Sequence, residues 1–421
     1  MSAEAARPPR FLGWATTEVF FVLSVLQAVL FALLAQNISQ SLDLDATQLG
    51  YLGGVFFSTY AIGQLVFGSL LGRISARALL CGTALVSAGG LLLLASSEGL
   101  TSAILARVLV GIGLSSSFVG VIHLLSRDYG DRFAFMSSLS QSLANICASL
   151  MAMLSAAIPF LVDFRAPFRV IGVLLAISAV LMFLSVRKPA PSATASGRGP
   201  GLGAVLGMCL GSGQLWAALL FYSGLFGTLL SFANLWNIQF QLNYFGHSVK
   251  QAAMMNAMIP LGVTVGSILA GLWADRAGFV IPARIYAVLS LALFLTLFLV
   301  SLPASLAGGA MFFVGFGLSG SILALTAVQK HLPAEARALG TALVVTAAYV
   351  VGGIIQPLVG ATINAPHSGT ELLVLAESTL PGFATYQRGL LWVLGAVVLA
   401  VVASLFFKPT EQKPKPTPAS E

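Results

Sequence analysis

The stretch VGIGLSSS at residues 110–117 recurs as VGFGLSGS at residues 314–321, which is 204 residues later. A second pair of similar stretches, GSLLGRIS at 68–75 and GLWADRAG at 271–278, is separated by 203 residues. Composition alone does not explain two unrelated patterns that share nearly the same offset. The sequence therefore predicts an internal duplication, in which each half of the chain carries one copy of both patterns.

The composition of the chain excludes a water-soluble protein. Hydrophobic residues make up 57% of the 421 residues and charged residues only 8%. Apolar runs of about 20 residues, the length that a helix needs to cross a bilayer, recur throughout. A spanning segment must satisfy its own backbone hydrogen bonds, and the short alternating pattern of a membrane barrel is absent from the sequence. We therefore expect an all-α polytopic membrane protein.

Twelve apolar runs are predicted to be transmembrane helices, numbered 1 to 12 in chain order and arranged in two six-helix bundles. Their predicted bounds are 14–36, 48–71, 78–96, 102–125, 134–161, 168–186, 214–240, 251–273, 283–301, 305–328, 337–360 and 388–407. The stretch between the sixth and seventh runs is rich in Pro, Ala, Gly and Ser, which is typical of a linker. We expect an N-terminal bundle over 1–187, a linker over 188–213, a C-terminal bundle over 214–407 and a tail over 408–421.

The basic residues predict the orientation of the chain. Both termini, the linker and the tail are expected to be cytoplasmic, because Lys and Arg are enriched in cytoplasmic loops. The positive charge is scattered over short loops without a basic stripe, so no nucleic-acid partner is expected. Of the 21 Lys and Arg residues, all lie on the side that holds both termini except Arg107, Arg165, Arg169, Lys250 and Arg388.

The repeated motifs resemble those of the major facilitator superfamily, and more closely those of a bacterial branch whose substrates are mostly unassigned. The resemblance covers nearly the whole chain. In this family the loop between helices 2 and 3 is similar to G-x-x-x-D-R-x-G-[RK], and helix 4 carries an arginine followed by Gly-x-Gly. The residues that match these motifs, and that the resemblance assigns to gating or conformational change, are Gly271, Asp275, Arg276, Gly278, Gly68, Arg73, Arg77, Arg107, Gly111 and Gly113.

The resemblance implies a function as well as a fold. The chain would be a secondary active transporter that moves a small organic solute, such as a metabolite, an organic anion or a zwitterion, by alternating access. It would not be an enzyme and would need no cofactor beyond a proton or ion gradient. It would act as a monomer, in contact with lipid, in the bacterial cytoplasmic (inner) membrane. Two alternatives stay open: a drug or metabolite efflux pump, and a non-transporting receptor or scaffold with the same fold.

Motifs for other chemistry are absent from the sequence. No P-loop or HExxH pattern occurs, and GFGLSG at 315–320 lies inside an apolar run with no preceding strand. The three cysteines have neither the spacing of a metal site nor that of a disulfide framework. These features predict no catalytic site and no metal site.

The second-half motif is expected to act as a gate. Asp275 could cap the N-terminus of helix 9 and pair with Arg276, in an interaction that makes and breaks as the bundles rock. The alternative is a solvated turn that only sets the topology. In the first half, Gly72 stands where the family has the acid, so a gate there would rely on Arg73 and Arg77 with other partners.

Two charged residues lie within predicted helices. Arg107 sits about two turns into helix 4, where a cation needs carbonyls, hydroxyls such as Ser115, or an anionic ligand as partners. The alternative is an arginine that only packs helices together. Glu18 on helix 1 could be a proton site, although a carboxylate near a helix N-terminus can also reach the membrane interface.

Polar side chains in the other predicted helices mark a candidate substrate cavity. Asn234, Asn237 and Gln241 of helix 7 have a spacing that predicts one helical stripe. Each residue could instead form an interhelical hydrogen bond worth about 0.6 kcal/mol. The complete candidate set is Gln27, Gln141, Asn145, Asn234, Trp236, Asn237, Gln241, Ser319, Tyr349 and Gln356.

Overall fold

The computed structural model describes residues 10–70, 74–129, 133–154, 163–186, 202–243, 245–299, 304–365 and 383–409. Helices 1 to 6 are Arg10–Leu33, Ala46–Leu70, Ala76–Ala95, Leu100–Leu114 continued by Ser116–Asp128, Phe133–Leu154, and Arg165–Ser185. Helix 7 runs from Gly213–Ser231 through the π-helical turn Phe232–Trp236 to Asn237–Asn243. Helices 8 and 9 are Val249–Ala277 and Val280–Leu299, and helix 10 runs from Ala304–Leu318 through the 3-10 turn Ser319–Ser321 to Ile322–His331. Helices 11 and 12 are Ala334–Asn364 and Phe383–Leu405. Two shorter helices are Ala35–Ser41 and Leu202–Leu210.

Each predicted helix is present, with bounds that differ by a few residues. Within the described ranges, eleven helices are long and apolar enough to cross a membrane, and helix 5, whose apolar part is Leu139–Met153, is the twelfth. Helix 1 begins at Arg10 rather than at residue 14, and helix 12 begins at Phe383 rather than at residue 388. Helix 5 is predicted to reach residue 161, but residues 155–162 lie outside the described part of the chain.

The twelve helices form two bundles of six. In the first bundle, helix 3 packs against helices 4 and 6, helix 2 against helix 4, and helix 1 against helices 5 and 6. In the second, helix 7 packs against helices 11 and 12, helix 8 against helix 10, and helix 9 against helix 12. The bundles meet mainly where helix 2 contacts helix 11 and where helix 5 contacts helix 8. The prediction of an all-helical membrane protein with two six-helix bundles is confirmed.

The duplication extends to individual contacts between helices. Gly113 of helix 4 lies so close to Ser87 of helix 3 that an added Cβ would overlap it, and Gly317 of helix 10 lies equally close to Ser290 of helix 9. Ser290 follows Ser87 by 203 residues, so the same helix pair touches at the same position in both halves. Other matching close approaches are those of Gly111 to Phe56, Gly315 to Ile259, Gly63 to Ser115, and Gly266 to Ser319.

Both copies of the VGxGLSxS motif interrupt their helix. Helix 4 has a one-residue break at Ser115, and helix 10 passes through the 3-10 turn that begins at Ser319, 204 residues later. Each of these hydroxyls donates to a carbonyl three residues earlier on its own helix, at 2.7 Å for Ser115 and 2.6 Å for Ser319. A backbone distortion in a membrane is tolerated where neighbouring groups satisfy the hydrogen bonds, and these serines contribute to that.

The bundles are closed on one side of the molecule. We call the side that holds Arg10 and Leu405 the terminal side, and the opposite side the far side. At the far side, Asn364 of helix 11 accepts a hydrogen bond from the Ala46 N–H at 3.3 Å and donates one to Thr47 at 2.9 Å.

Small residues continue this closure toward the middle of the molecule. Gly54 of helix 2 lies directly against the backbone carbonyl of Gly353 on helix 11, so that an added Cβ would not fit. Small residues let helices in a membrane approach closely enough to pack. We call this contact, between residues 46–60 of helix 2 and 349–364 of helix 11, the far-side seam. The hydrogen bonds of Asn364 and the ring contacts of Tyr349 with Phe57 and Tyr60 join the two bundles within this seam.

The seam predicts the effect of a single added methyl group. Gly54→Ala must displace the Gly353 carbonyl, and overpacking of this kind typically costs about 1–3 kcal/mol, which should lower the closed population at least about fivefold. The measurement is disulfide formation between Thr47→Cys and Asn364→Cys, in a background without the native cysteines.

The matched control is Gly82→Ala on helix 3, where an added Cβ meets no atom within 4 Å. Cross-linking that is equal in Gly54→Ala and in this control would contradict the proposed closeness of the seam.

Candidate functional site

A cluster of aromatic rings lies at the middle of the molecule, where the far-side seam ends. The ring of Tyr349 on helix 11 is 5.0 Å from Tyr60 and 6.1 Å from Phe57 on helix 2, and 5.9 Å from Phe226 on helix 7. The Tyr60 hydroxyl faces Tyr349 and Ser117 of helix 4. Four helices from the two bundles therefore bring rings and hydroxyls to one place. We call Phe57, Tyr60, Phe226 and Tyr349 the aromatic cluster.

Helix 7 widens into a π-helical turn, Phe232–Trp236, which ends with a hydrogen bond to the carbonyl five residues back. Such a turn disturbs the usual pairing of the backbone carbonyls around it. Gln356 of helix 11 donates its side-chain amide to the Leu230 carbonyl at 3.3 Å, and the Trp236 indole donates to the Gln356 carbonyl at 3.1 Å. These two buried bonds tie the widened part of helix 7 to helix 11.

Beyond the π-helical turn, buried amides form a hydrogen-bonded chain toward the far side. Asn237 donates to Asn256 of helix 8 at 2.8 Å, and Gln241 donates to Asn237 at 3.2 Å. The Gln241 oxygen lies 2.9 Å from Nδ1 of His247 in the loop that follows helix 7. Burial lowers the pKa of the His247 imidazole, which favours its neutral form. The chain joins helix 7, helix 8 and their connecting loop.

Asn234 is separate from this chain, although its spacing predicts one stripe with Asn237 and Gln241. It lies in the π-helical turn and is half-buried. The turn breaks the 3.6-residue periodicity on which the predicted stripe depends. The Asn234 amide makes no hydrogen bond to another described residue, so it remains available to a ligand.

The predicted site residues of helices 5 and 10 have different environments. Gln141 is exposed and donates to the half-buried Asn145 at 3.4 Å. Ser319 is buried, bonds the Phe316 carbonyl and packs against Gly266 of helix 8. Ser319 therefore belongs to the packing of the duplicated motif, whereas Gln141 and Asn145 keep accessible amide groups.

Arg107 makes its contacts within the first bundle. The side chain is 1% exposed, its Nε donates to the Leu52 carbonyl of helix 2 at 2.9 Å, and its Nη1 donates to Gln27 of helix 1 at 3.2 Å. Ser115, one of the partners that the sequence suggests, bonds the Ile112 carbonyl instead. The structure thus pairs Gln27 with Arg107 of its own bundle.

Glu18 is buried on helix 1 against an apolar cluster that includes Trp14, Phe21 and Val121. Neither of its carboxylate oxygens has a hydrogen-bond partner. Ser140 of helix 5 faces the carboxyl without completing a hydrogen bond, and it accepts one from the Trp14 indole at 3.0 Å. Because helix 1 begins before the predicted residue, Glu18 lies deeper than expected. Its carboxyl does not reach the surface of the described chain.

The second-half motif lies partly in helix 8, which continues to Ala277. The turn to helix 9 therefore begins at Gly278, whose φ of 77° favours glycine. Arg276 is exposed in the last helical turn, where a cation interacts favourably with the helix dipole. The side chain of Asp275 lies outside the described residues, and Gly271 has open space around it.

The described part of the first-half motif contacts its own bundle. Gly68 lies in the last turn of helix 2, and Gly72 and Arg73 lie outside the described residues. Arg77 donates from Nε to the Val186 carbonyl, just beyond helix 6. Arg77 therefore holds helix 3 to helix 6 of its own bundle.

Sequence reasoning missed four residues of the central region: Tyr60, Phe57, Phe226 and Asn256. The three aromatic residues lie in apolar helices, where aromatic side chains are common, and only the packing of helices 2, 7 and 11 brings them together. Asn256 had a detectable signal, since it is a single amide in the stretch AAMMNAMI at 252–259. Polar groups inside membrane helices usually face a partner or a cavity.

The family model for the Major Facilitator Superfamily matches residues 19–357, from helix 1 into helix 11. Comparison with curated protein sequences gives no significant match.

Solved structures match the fold along nearly the whole chain. A bacterial homologue of the human lysosomal transporter Spinster, in an inward-facing and unoccupied conformation, is 16% identical with a TM-score of 0.71, over 96% of this chain and 97% of that one. The nucleoside transporter NupG is 15% identical with a TM-score of 0.70, over 94% and 100%. A D-xylose–proton symporter is 14% identical with a TM-score of 0.67, over 95% and 98%. At these identities the likeness establishes a shared fold and nothing further.

The amide chain predicts different effects for two neighbouring asparagines. Asn237→Ala should lower the thermal midpoint of the purified protein, because it leaves the Asn256 oxygen and the Gln241 amide buried and unpaired, at a cost of about 1–3 kcal/mol for each group. Asn234→Ala is the control and should leave the midpoint unchanged. The measurement is thermal unfolding in detergent, and equal shifts in the two variants would contradict the assigned hydrogen bonds.

Proposed function

Because the chain belongs to the major facilitator superfamily, we propose that it is a secondary active transporter that moves a small organic solute across the membrane by alternating access. It is a multi-pass integral membrane protein and a solute transporter rather than an enzyme. The observation that carries the mechanism is the far-side seam. Two duplicated bundles are held together on the far side, and the aromatic cluster lies where this closure ends.

The seam is built from interactions that can break as the bundles move. It contains the two hydrogen bonds of Asn364 and the close backbone contact between Gly54 and Gly353. Rigid-body rocking of two packed bundles can exchange such a contact for one on the opposite side. If the termini are cytoplasmic, as the basic residues indicate, this conformation is inward-facing.

The solute is proposed to contact polar groups whose hydrogen-bonding capacity is not fully satisfied within the protein. These are the hydroxyls of Tyr60 and Tyr349 and the amides of Asn234, Gln141 and Asn145. Aromatic rings and a few polar groups are the usual lining of a small-molecule site. The similar structures include transporters named for a nucleoside and for D-xylose, and rings with amides would suit solutes of that general size.

The other predicted cavity residues are proposed to position helix 7 without contacting the solute. Trp236 and Gln356 hold the π-helical turn, and Asn237 and Gln241 join helix 7 to helix 8. A change in any of them would act on solute binding through the position of helix 7.

The second-half motif is proposed to gate the terminal side. Asp275 and Arg276, with Gly271 and Gly278 beside them, lie at the end of helix 8 on the terminal side, opposite the far-side seam. Closure of that side would bring helix 8 toward helix 5, and a charged pair there can form and break during the cycle. Since Gly72 replaces the acid in the first half, the terminal gate is asymmetric.

The organisation of the chain follows the same proposal. Residues 1–187 and 214–407 form the two bundles, 188–213 form a cytoplasmic linker and 408–421 a cytoplasmic tail. The short helix Leu202–Leu210 lies in this linker, and Cys209 packs it against helix 11 through the Ala336 carbonyl. The protein would work as a monomer in contact with lipid, in the bacterial cytoplasmic membrane.

Transport itself is tested with purified protein in liposomes. Metabolites that raise the thermal midpoint are assayed for flux with and without a pH gradient. Wild-type protein should move at least one bound solute, and Asp275→Asn should slow this flux while leaving equilibrium binding unchanged, because a gate acts on the cycle and not on the site. Binding without any flux in wild-type protein would favour the receptor alternative, and export driven by a pH gradient would favour the efflux pump.

Glu18 is proposed to carry the coupled proton, if transport is proton-coupled. An ionised carboxylate without a partner is costly to bury, so the buried conformation of Glu18 suits the protonated form. Movement of helix 1 against helix 5 during the cycle would change the exposure of the carboxyl and allow the proton to leave.

Replacement of Glu18 separates coupling from transport. Glu18→Gln should abolish accumulation driven by a pH gradient and spare counterflow of solute, because the amide mimics the protonated acid. Glu335→Gln, at an exposed position at the start of helix 11, is the matched control and should leave both activities intact. Retained pH-driven accumulation in Glu18→Gln would remove the proposed role.

A further inference from the structure

Arg107 is a buried cation without a counter-ion. It is the largest of the described side chains that are less than 2% exposed, and it has no ion-pair partner among the described residues. Its two protein acceptors are both neutral, the Leu52 carbonyl and the Gln27 side-chain oxygen. A charge in the interior of a membrane protein is costly and usually marks a bound partner or a pathway.

Two aromatic rings pack on the guanidinium group of Arg107. Its central carbon lies 4.0 Å from the ring centre of Phe31 and 4.4 Å from that of Phe56. Because Nε and Nη1 are used and no described residue accepts a hydrogen bond from Nη2, the open position is the Nη edge.

Gln27 adds a second free donor at the same edge. Its oxygen accepts from Arg107, and its side-chain Nε2 is buried without any hydrogen-bond partner. The amide cannot be reversed, because Nε2 would then point its hydrogens at the N–H groups of the arginine. Nη2 of Arg107 and Nε2 of Gln27 are thus donors without a partner among the described residues, and paired donors of this kind are what an anion requires.

The duplicated half of the chain shows that packing does not need this charge. The offset of 204 residues that relates the helix 4 and helix 10 motifs takes Arg107 to Met311, which is fully buried. The glycines that follow each position make equivalent close contacts in the two bundles. A neutral side chain therefore fills the matching space in the second bundle, so the cation in the first has another use.

We propose that Arg107 and Gln27 bind a compact anionic group, either a carboxylate of the transported solute or a small inorganic anion such as chloride. The site lies beside the far-side seam, since Leu52 immediately precedes Gly53 and Gly54, which contact helix 11. Separation of helices 2 and 11 at the seam would open this anion site to the far side. The proposal that this site binds an anion does not depend on the proposed transport function. Only the statement that the anion is part of the transported solute depends on that function.

The experiment measures anion binding rather than transport. The thermal midpoint of the purified full-length protein is titrated with sodium chloride, acetate and lactate, against sodium sulfate at equal ionic strength. Acetamide and lactamide serve as uncharged analogues of the two carboxylates. The wild-type midpoint should rise with at least one compact anion and with neither amide.

Two variants test the assigned residues. Gln27→Glu places a fixed carboxylate beside Arg107, so it should raise the midpoint in the absence of added anion and remove the anion response. Arg107→Met, which copies the second bundle, should weaken the apparent affinity at least about tenfold, as expected for loss of a charge-assisted hydrogen bond. Gln329→Glu, at an exposed position near the end of helix 10 in the second bundle, is the control and should keep the wild-type response.

Each outcome either identifies the source of the anion, which is the solute or an inorganic ion, or contradicts the proposal. A response to carboxylates alone identifies a carboxylate-bearing solute, and a response that includes chloride identifies an inorganic anion. No response in wild-type protein, or an unchanged response in Gln27→Glu, would overturn the proposal. Because Gln27→Glu is expected to be more stable than wild type, a folding defect in Arg107→Met would not block this test. Failure to transport would count against the proposed function and would not affect these results.

Discussion

The need to satisfy every backbone hydrogen bond without water governs this molecule. In a bilayer this leaves helices as the natural choice, and any departure from regular helix must find other partners. The π-helical turn of helix 7 is such a departure, and Gln356 and Trp236 supply two buried hydrogen bonds around it. The backbones of helices 2 and 11 approach closely where the residues are small, and the far-side seam therefore depends on Gly54 and Gly353. The distorted helix and the closure of the bundles therefore depend on the same helix, helix 11.

The two halves share their packing but not their charge. Glycines at matching positions approach matching residues in both bundles, because helix–helix contacts at this distance leave no room for another side chain. Arg107 and Glu18, in contrast, lie only in the first bundle, and the intact acidic motif with Asp275 lies only in the second. A duplicated scaffold has thus kept its contacts while its ionisable groups diverged. This asymmetry is what a transporter needs if its two bundles bind and gate in different ways.

The roles of single polar residues were the least predictable part of the site. The spacing of Asn234, Asn237 and Gln241 predicts one stripe, but the π-helical turn separates the first residue from the other two. The motif at Asp275 predicts a turn, yet helix 8 continues through Arg276 and the turn begins at Gly278. The sequence predicts Gln27 in the cavity, whereas its partner in the structure is Arg107. In each case the sequence identifies the residue, and its environment depends on the backbone path of its helix or on a partner from another helix.

The sequence by itself determined the class of the protein, its twelve helices and its duplication, because hydropathy and repeated motifs are local properties that need no knowledge of packing. It also indicated the family, since the motif residues keep their order and spacing along the chain. Only the tertiary structure decided which side of the molecule is closed, which amides bond to each other, and which donors remain free beside Arg107. These depend on contacts such as those between helix 2 and helix 11, which lie about three hundred residues apart, and no local pattern specifies them.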